Sequence, residues 1–251
     1  MVDIRLEGNR MLCKGDSPSY NADGVHNNEL GTLQYIANWC DVPFPFSRKD
    51  GLERYGIVGI LGYIFLSSLL DAHIIEIGTG ESSIYLTEVA RRLHRKIFCC
   101  DATYSKIFNP LTVPGYLHED SILLTAESNE EYDQYSSVLY AGTSDDFFAQ
   151  LKFPPIGIAF IDGDHHYEYI KRDFDNIFKL LVPNGVILLH DTYPCDEWTV
   201  LNDYCSTAYK MRQELEKRDD LDCFTFTSLV ACGVGLTMCR KKPINRAYYN
   251  E

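Results

Sequence analysis

Two short stretches hold the residues best suited to chemistry. Asp162-Gly163-Asp164-His165-His166-Tyr167 begins where the apolar run Gly157 to Asp162 ends, and His190-Asp191 closes the run Gly185 to His190. Each run has the length and makeup of a buried strand. Parallel neighbours open their carboxyl ends on one crevice, so carboxylates and imidazoles from both stretches would converge there. Two carboxylates and a histidine from such ends could hold one octahedral Mg²⁺ or Mn²⁺ with open positions for vicinal hydroxyls of a substrate. A base three residues beyond Asp162 would then remove a hydroxyl proton. His165 holds that position, and an imidazole titrates near neutrality. Asp164 could serve as the base only if burial raised its pKa. Any one of these histidines could equally be a hydrogen-bonded loop residue, but three histidines and three aspartates on two strand ends are poorly explained that way.

A third stretch, Glu76-Ile77-Gly78-Thr79-Gly80, closes the strand-like run His73 to Gly78 and leads into a helical pattern at Ser82 to Leu93. Glycines at such a turn let backbone approach a ligand, with helix N–H groups aimed at it. Alone this is a weak signal, because many turns use glycine only to turn. Asp101 strengthens it: it ends the next run, Lys96 to Asp101, where a carboxylate can accept hydrogen bonds from both hydroxyls of a ribose. Glu76 lies two residues before the glycine and would repel a pyrophosphate, whereas it can orient a cationic amino-acid group or the loop itself.

Short apolar runs alternate with longer amphipathic stretches from residue 73 onward, as a parallel sheet with crossover helices requires. Val138 to Gly142 reads as a third strand, Ser144 to Lys152 and Tyr167 to Leu181 as helices, and Pro183-Asn184-Gly185 as a turn into the fifth strand. Thr103 to Ser137 is less periodic, with a helix expected near Ser121 to Tyr135. A helix from Trp198 to Arg218 precedes two strands, Asp222 to Val230 and Gly233 to Arg240, joined by a short hairpin link. Upstream, Leu30 to Trp39 and Tyr55 to Leu70 look helical, so residues 1–54 are expected to form a helical cap on a domain spanning 55–251.

Glu-Ile-Gly-Thr-Gly with Ser82-Ser83, Ile161-Asp162-Gly163-Asp164-His165, and Leu189-His190-Asp191-Thr192 together resemble the class I S-adenosylmethionine-dependent methyltransferases, in particular the catechol and macrolide-sugar O-methyltransferases. The resemblance covers about residues 55 to 240. It implies a doubly wound, mostly parallel seven-stranded α/β sheet, Rossmann-like, closed by a C-terminal antiparallel hairpin. It further implies that Glu76, Gly78, Thr79, Gly80 and Ser83 line the methionine part of the cofactor, Asp101 the ribose and Thr143-Ser144 the adenine edge. Asp162 would stand at the border of cofactor and metal, with Asp162 and Asp191 as ligands; His190 stands where a second acid is often found, leaving the third ligand open. No third glycine follows Gly80, a departure from the fuller Gly-x-Gly-x-Gly pattern.

Composition narrows the partners. The 251 residues carry 36 acidic and 23 basic side chains, a net charge of −13, which disfavours a nucleic acid and favours a small-molecule acceptor. A homo-oligomer is neither required nor excluded. Nine cysteines without a Cys-x-x-Cys pair read as reduced and mostly buried thiols. Met1 to Arg10 has no apolar core and no run approaches eighteen apolar residues, so no membrane association and a cytoplasmic location are expected. The leading function is metal-assisted O-methylation of a small hydroxylated metabolite. A metal-dependent phosphoester hydrolase and a non-catalytic cofactor-binding protein are the alternatives, although His26, His73, His94 and His118 are not readily brought to the same strand ends.

Overall fold

The computed structural model describes residues 3–7, 10–14, 56–102, 120–194, 200, 205–226 and 234–243. An N-terminal hairpin pairs β1 (Asp3–Glu7) antiparallel with β2 (Arg10–Lys14). The main body then runs α1 (Gly56–Ser67), β3 (His73–Ile77), α2 (Glu81–Leu93), β4 (Ile97–Asp101), β5 (Ser121–Thr125), β6 (Ser137–Ala141) and α3 (Ser144–Gln150). It continues through β7 (Ile156–Ile161), α4 (Tyr167–Leu180), β8 (Leu181–His190), α5 (Ala208–Leu215), β9 (Leu221–Phe226) and β10 (Leu236–Lys241).

Eight strands form one sheet in the order β5-β6-β4-β3-β7-β8-β10-β9. β3 to β8 pair in parallel, while β10 runs antiparallel to both β8 and β9. Side chains alternate between two cores, as a pleated strand dictates. Ile74, Cys99, Leu139, Ile158 and Leu188 join the core under α1 and α2. Ile75, Cys100, Val138, Ala159 and Ile187 join the one under α3, α4 and α5. Strands covered on both faces are near-continuously apolar, and β7 is buried at every residue. The chain reverses at β3, whose neighbours are β4 on one side and β7 on the other, and the crevice that follows from such a reversal opens at the carboxyl ends of these strands.

The doubly wound sheet and its C-terminal hairpin are as expected, with one strand more than seven. The additional strand is β5, in the region read as a helix near Ser121 to Tyr135. Ser-Ile-Leu-Leu-Thr pairs with β6 from Ser121↔Ser137 to Thr125↔Ala141, and a turn follows it. Thr125 N–H donates to Ser128 Oγ at 2.9 Å, and Ser128 N–H returns to the Thr125 carbonyl at 3.0 Å. A short apolar run beside an open sheet edge gains more from pairing than from an isolated helix. The Pro183-Asn184-Gly185 turn is present as an exposed bulge within β8, with Asn184 at φ 66°. Within residues 1–54 the described elements are the strands β1 and β2; the expected helix at Leu30 to Trp39 lies outside the described residues.

The cysteine reading holds among the described residues: Cys99, Cys100, Cys205, Cys223 and Cys239 are buried and free. Among the described residues no helix is long and apolar enough to cross a membrane.

Candidate active site at the carboxyl ends of β3, β4, β7 and β8

The loop after β3 is built against the end of β7. Gly78 N–H donates to the Cys100 carbonyl at 2.9 Å, and Asp162 N–H donates to the Ile77 carbonyl at 2.8 Å. Gly78 sits at φ 86°, and a Cβ there would come within 2.1 Å of the Asp162 carbonyl oxygen. Both the backbone angle and the space demand glycine. Gly80 differs. It is the N-cap of α2 in an extended conformation, and a Cβ would meet nothing within 4 Å, so its α-carbon faces open space. Its N–H is drawn to Ser83 Oγ at 3.2 Å.

Asp101 fixes this loop from the side. Its Oδ2 accepts from both the Thr79 N–H and the Thr79 hydroxyl, each at 2.9 Å, with Asp101 and Thr79 both buried. Glu76 holds it from beneath. The residue is wholly buried, with Oε1 accepting from the Ser82 hydroxyl at 2.6 Å and Oε2 from the Cys99 thiol at 3.3 Å. Burial pushes its carboxyl up to about 7 against the opposing hydrogen bonds from Ser82, Ser83 and Cys99. Of the two roles open to Glu76, these bonds favour orienting the loop and the first turn of α2. Thr143 caps α3, its hydroxyl oxygen accepting from the Asp146 N–H at 3.2 Å, and Ser144 opens the helix.

Asp162, His165, His190 and Asp191 form one cluster. His165 Nε2 lies 3.0 Å from Asp191 Oδ2 and 3.5 Å from Asp162 Oδ1. His190 Nδ1 lies 3.1 Å from Asp162 Oδ1 and 2.9 Å from Asp191 Oδ1. Burial would raise the Asp162 carboxyl, but the His190 charge and the hydrogen bonds from both histidines outweigh it and hold Asp162 below the usual carboxylate range. Asp191 is lowered for the same balance of reasons. Burial acts to lower the two imidazoles, yet their carboxylate partners raise His165 to about 10 and His190 to about 9. Asp191 Oδ1 is a buried oxygen whose close contact is the 2.9 Å ion pair with the His190 ring.

Two expectations change here. Asp164 does not join the cluster: about half exposed, it turns to His166, accepting from its N–H at 2.9 Å and meeting its Nδ1 at 2.7 Å. Burial acts to raise its carboxyl, but the hydrogen bonds from His166 and the charges of the nearby histidines together lower it, the opposite of what a general base in that position needs. His165 does reach the cluster, but wedged between two carboxylates and held as a cation. It is free to act as a base only when something else takes up their charge. The atoms that can share one metal ion, all within 4.8 Å of one another, come from Asp162, His165 and Asp191, so His165 rather than His190 completes that group.

Other side chains are placed as follows. Tyr193 packs under α5 with the Arg212 guanidinium 5.0 Å from its ring centroid, and Trp198 lies outside the described residues. Asp173 is buried and pushed up to about 6 by that burial. Arg212 gave no signal in the sequence because it stands among Lys210, Lys217 and Arg218 in one helical pattern. Its Nε donates to the Thr192 carbonyl at 3.0 Å and its Nη1 pairs with Glu216 at 2.6 Å. The Thr192 and Thr237 hydroxyls meet at 2.7 Å, and together these contacts pin the turn in which Asp191 takes φ 58°.

Residues 75–192 match the family described as a methyltransferase domain. The fold agrees with solved structures of that kind. The O-methyltransferase TomG from Streptomyces achromogenes, solved in complex with SAM, matches at a TM-score of 0.53 and 14% identity, over 90% of this chain and 92% of that one. The chain has the class I methyltransferase fold. The O-methyltransferase from Bacillus cereus in complex with SAH matches this fold at a TM-score of 0.53 and 15% identity, over 87% of this chain and 92% of that one. The SAH-bound methyltransferase PaMTH1 of Podospora anserina gives 0.52 and 15%, over 92% and 100%. A protein of Sinorhizobium fredii named as uncharacterized protein y4gI is 28% identical over 78 residues, which are 31% of this chain and 8% of that protein.

The two glycines of the loop after β3 should respond oppositely to a methyl group. Gly78→Ala is expected to cost about 2 to 5 kcal/mol of stability by chemical denaturation, from a strained backbone and a clash with the Asp162 carbonyl. Gly80→Ala should unfold within about 0.5 kcal/mol of wild type. Equal stability of the two variants would contradict the packing described.

Glu76 makes a pH prediction. Its folded pKa is raised above the unfolded value, so the stability it contributes is complete below about pH 4.5 and is lost as pH rises through about 7. Glu76→Gln should therefore gain on wild type between pH 5 and pH 8, by roughly 3 kcal/mol at most. A difference between the two proteins that does not change with pH would rule out a buried carboxyl titrating there.

Proposed function

We propose that this protein transfers the methyl group of S-adenosylmethionine to a hydroxyl of a small metabolite, a sugar or natural-product hydroxyl, with assistance from a divalent cation. The observation that carries the reading is the contact between Gly78 and the Asp162 carbonyl. It sets the loop expected to hold the cofactor directly beside the acid and imidazole cluster. In this reading Asp101 and the loop from Gly78 to Gly80 bind the nucleoside and amino-acid parts, with Ser83 supporting the loop and Thr143-Ser144 bordering the adenine. The solved relatives named as O-methyltransferases, with SAM or SAH bound, support it. So does the net charge of −13, which suits a small acceptor better than a nucleic acid.

The residues fit a cation: Asp191 is buried beside Asp162, and Asp162, His165 and Asp191 bring their ligand atoms together. A cation held there would supply Lewis-acid polarisation of a hydroxyl. With S-adenosylmethionine and acceptor bound, in-line attack of the hydroxyl oxygen on the sulfonium methyl would form the C–O bond as the C–S bond breaks, the sulfur keeping the electron pair as a thioether. With a cation taking up the charge of Asp162 and Asp191, a neutral imidazole of the cluster, His165 or His190, would accept the hydroxyl proton. Catalysis then rests on orientation and proton removal.

A phosphoester hydrolase finds less support. His73 accepts from the Lys96 N–H at the start of β3, and His94 caps the C-terminus of α2, both at the far end of the sheet from the cluster. His26 and His118 lie outside the described residues.

Calorimetric titration with S-adenosylhomocysteine should give saturable binding to the wild-type protein. Asp101→Ala should weaken it at least tenfold, about 1.4 kcal/mol. Folded protein that binds neither S-adenosylhomocysteine nor S-adenosylmethionine would refute the proposal.

A further inference from the structure

Resting on the metal-assisted reading above, we infer that the site takes a first-row transition ion, Mn²⁺, Fe²⁺, Co²⁺ or Zn²⁺, in preference to Mg²⁺, with His165 as its nitrogen ligand. The first observation is the donor set itself. The atoms able to share an ion are one carboxylate oxygen each from Asp162 and Asp191 and one imidazole nitrogen from His165. Mg²⁺ is a hard ion that retains its waters and takes oxygen ligands, whereas an imidazole nitrogen raises affinity along the series from Mn²⁺ through Zn²⁺.

The second observation is spacing. Ligand atoms about 2.1 Å from a common ion and at right angles to each other lie about 3 Å apart. His165 Nε2 stands 3.0 Å from Asp191 Oδ2 and 3.5 Å from Asp162 Oδ1, so this geometry needs only small adjustments. The third is the burial of Asp191, whose side chain is 3% exposed: a carboxylate removed from water is costly unless positive charge compensates it, and a divalent ion would supply that charge where His165 and His190 now do.

The position of His165 is a consequence of the chain path. Asp162 ends β7, and His165 lies three residues further on, in the loop that ends at His166, the N-cap of α4. That loop folds His165 back over Asp162 and across to the end of β8, while Asp164 and His166 pair with each other. Asp191 is presented to the same point from a turn with positive φ, pinned by Arg212 and Thr237. The three ligands thus come from two adjacent strand ends, and the turn bearing Asp191 is anchored by residues that do not ligate.

The test uses the metal-free full chain and the ions themselves. Isothermal titration with Co²⁺ and with Mg²⁺ should give a dissociation constant at least about tenfold lower for Co²⁺. Co²⁺ should also develop visible d–d absorption as it binds. His165→Ala should weaken Co²⁺ at least tenfold and change Mg²⁺ much less, removing the preference, while its affinity for S-adenosylhomocysteine and its melting temperature report that the fold is kept. Asp191→Asn, which keeps the shape of the side chain, should weaken both ions. Mg²⁺ binding as tightly as Co²⁺, or His165→Ala binding Co²⁺ like wild type, would overturn the inference while leaving a metal-assisted transferase standing. Failure of every divalent ion to bind would overturn the inference and the metal assistance together, and S-adenosylhomocysteine binding would still decide the transferase reading by itself.

Discussion

The ends of β3 and β7 are joined backbone to backbone. The Asp162 N–H is bonded to the Ile77 carbonyl, and the Asp162 carbonyl occupies the space where any side chain at position 78 would begin. Because only glycine fits, the loop after β3 cannot move away from the acid at the end of β7 without breaking the sheet pairing next to it. Everything assigned to the crevice depends on that closeness. Thr79 is set where Asp101 can grip it by N–H and hydroxyl, and Glu76 reaches Ser82 from below. A rigid loop beside a charged cluster is the arrangement that in-line transfer between two bound groups requires.

Electrostatics in the cluster follow from burial. Two carboxylates removed from water on adjacent strand ends repel one another unless positive charge lies between them. In the protein alone two imidazoles provide it, which is why His165 and His190 are raised and Asp162 and Asp191 lowered. The same negative charge is what a divalent ion would neutralise, releasing the histidines from that duty. The acid that stays outside, Asp164, is satisfied by His166 within its own loop and is exposed enough for solvent to screen it.

Much of this was legible in the sequence because it depends on local pattern. The strand ends, the paired glycines, Asp101 and the convergence of Asp162 with Asp191 all follow from alternation of apolar runs and the rule that parallel strands open on one side. What was not legible depends on loop path and edge pairing. Asp164 and His165 are adjacent, and only the course of residues 162 to 166 decides which one faces Asp191. The exchange of His165 for His190 in the metal-capable group has the same origin. A helix was expected near Ser121 to Tyr135 in a stretch of weak periodicity, and nothing local says that an open edge of β6 awaits β5. Arg212 is invisible to pattern, since its contact with the Thr192 carbonyl spans separate elements.

The central claim is that cofactor and cluster share one crevice between β3, β4, β7 and β8. A crystal structure with S-adenosylhomocysteine and Co²⁺ tests it most directly. The account predicts the ribose hydroxyls at Asp101, the sulfur over the loop from Gly78 to Gly80, and the ion bound by Asp162, His165 and Asp191. A nucleoside bound away from Asp101, or an ion held without any of those three side chains, would contradict it.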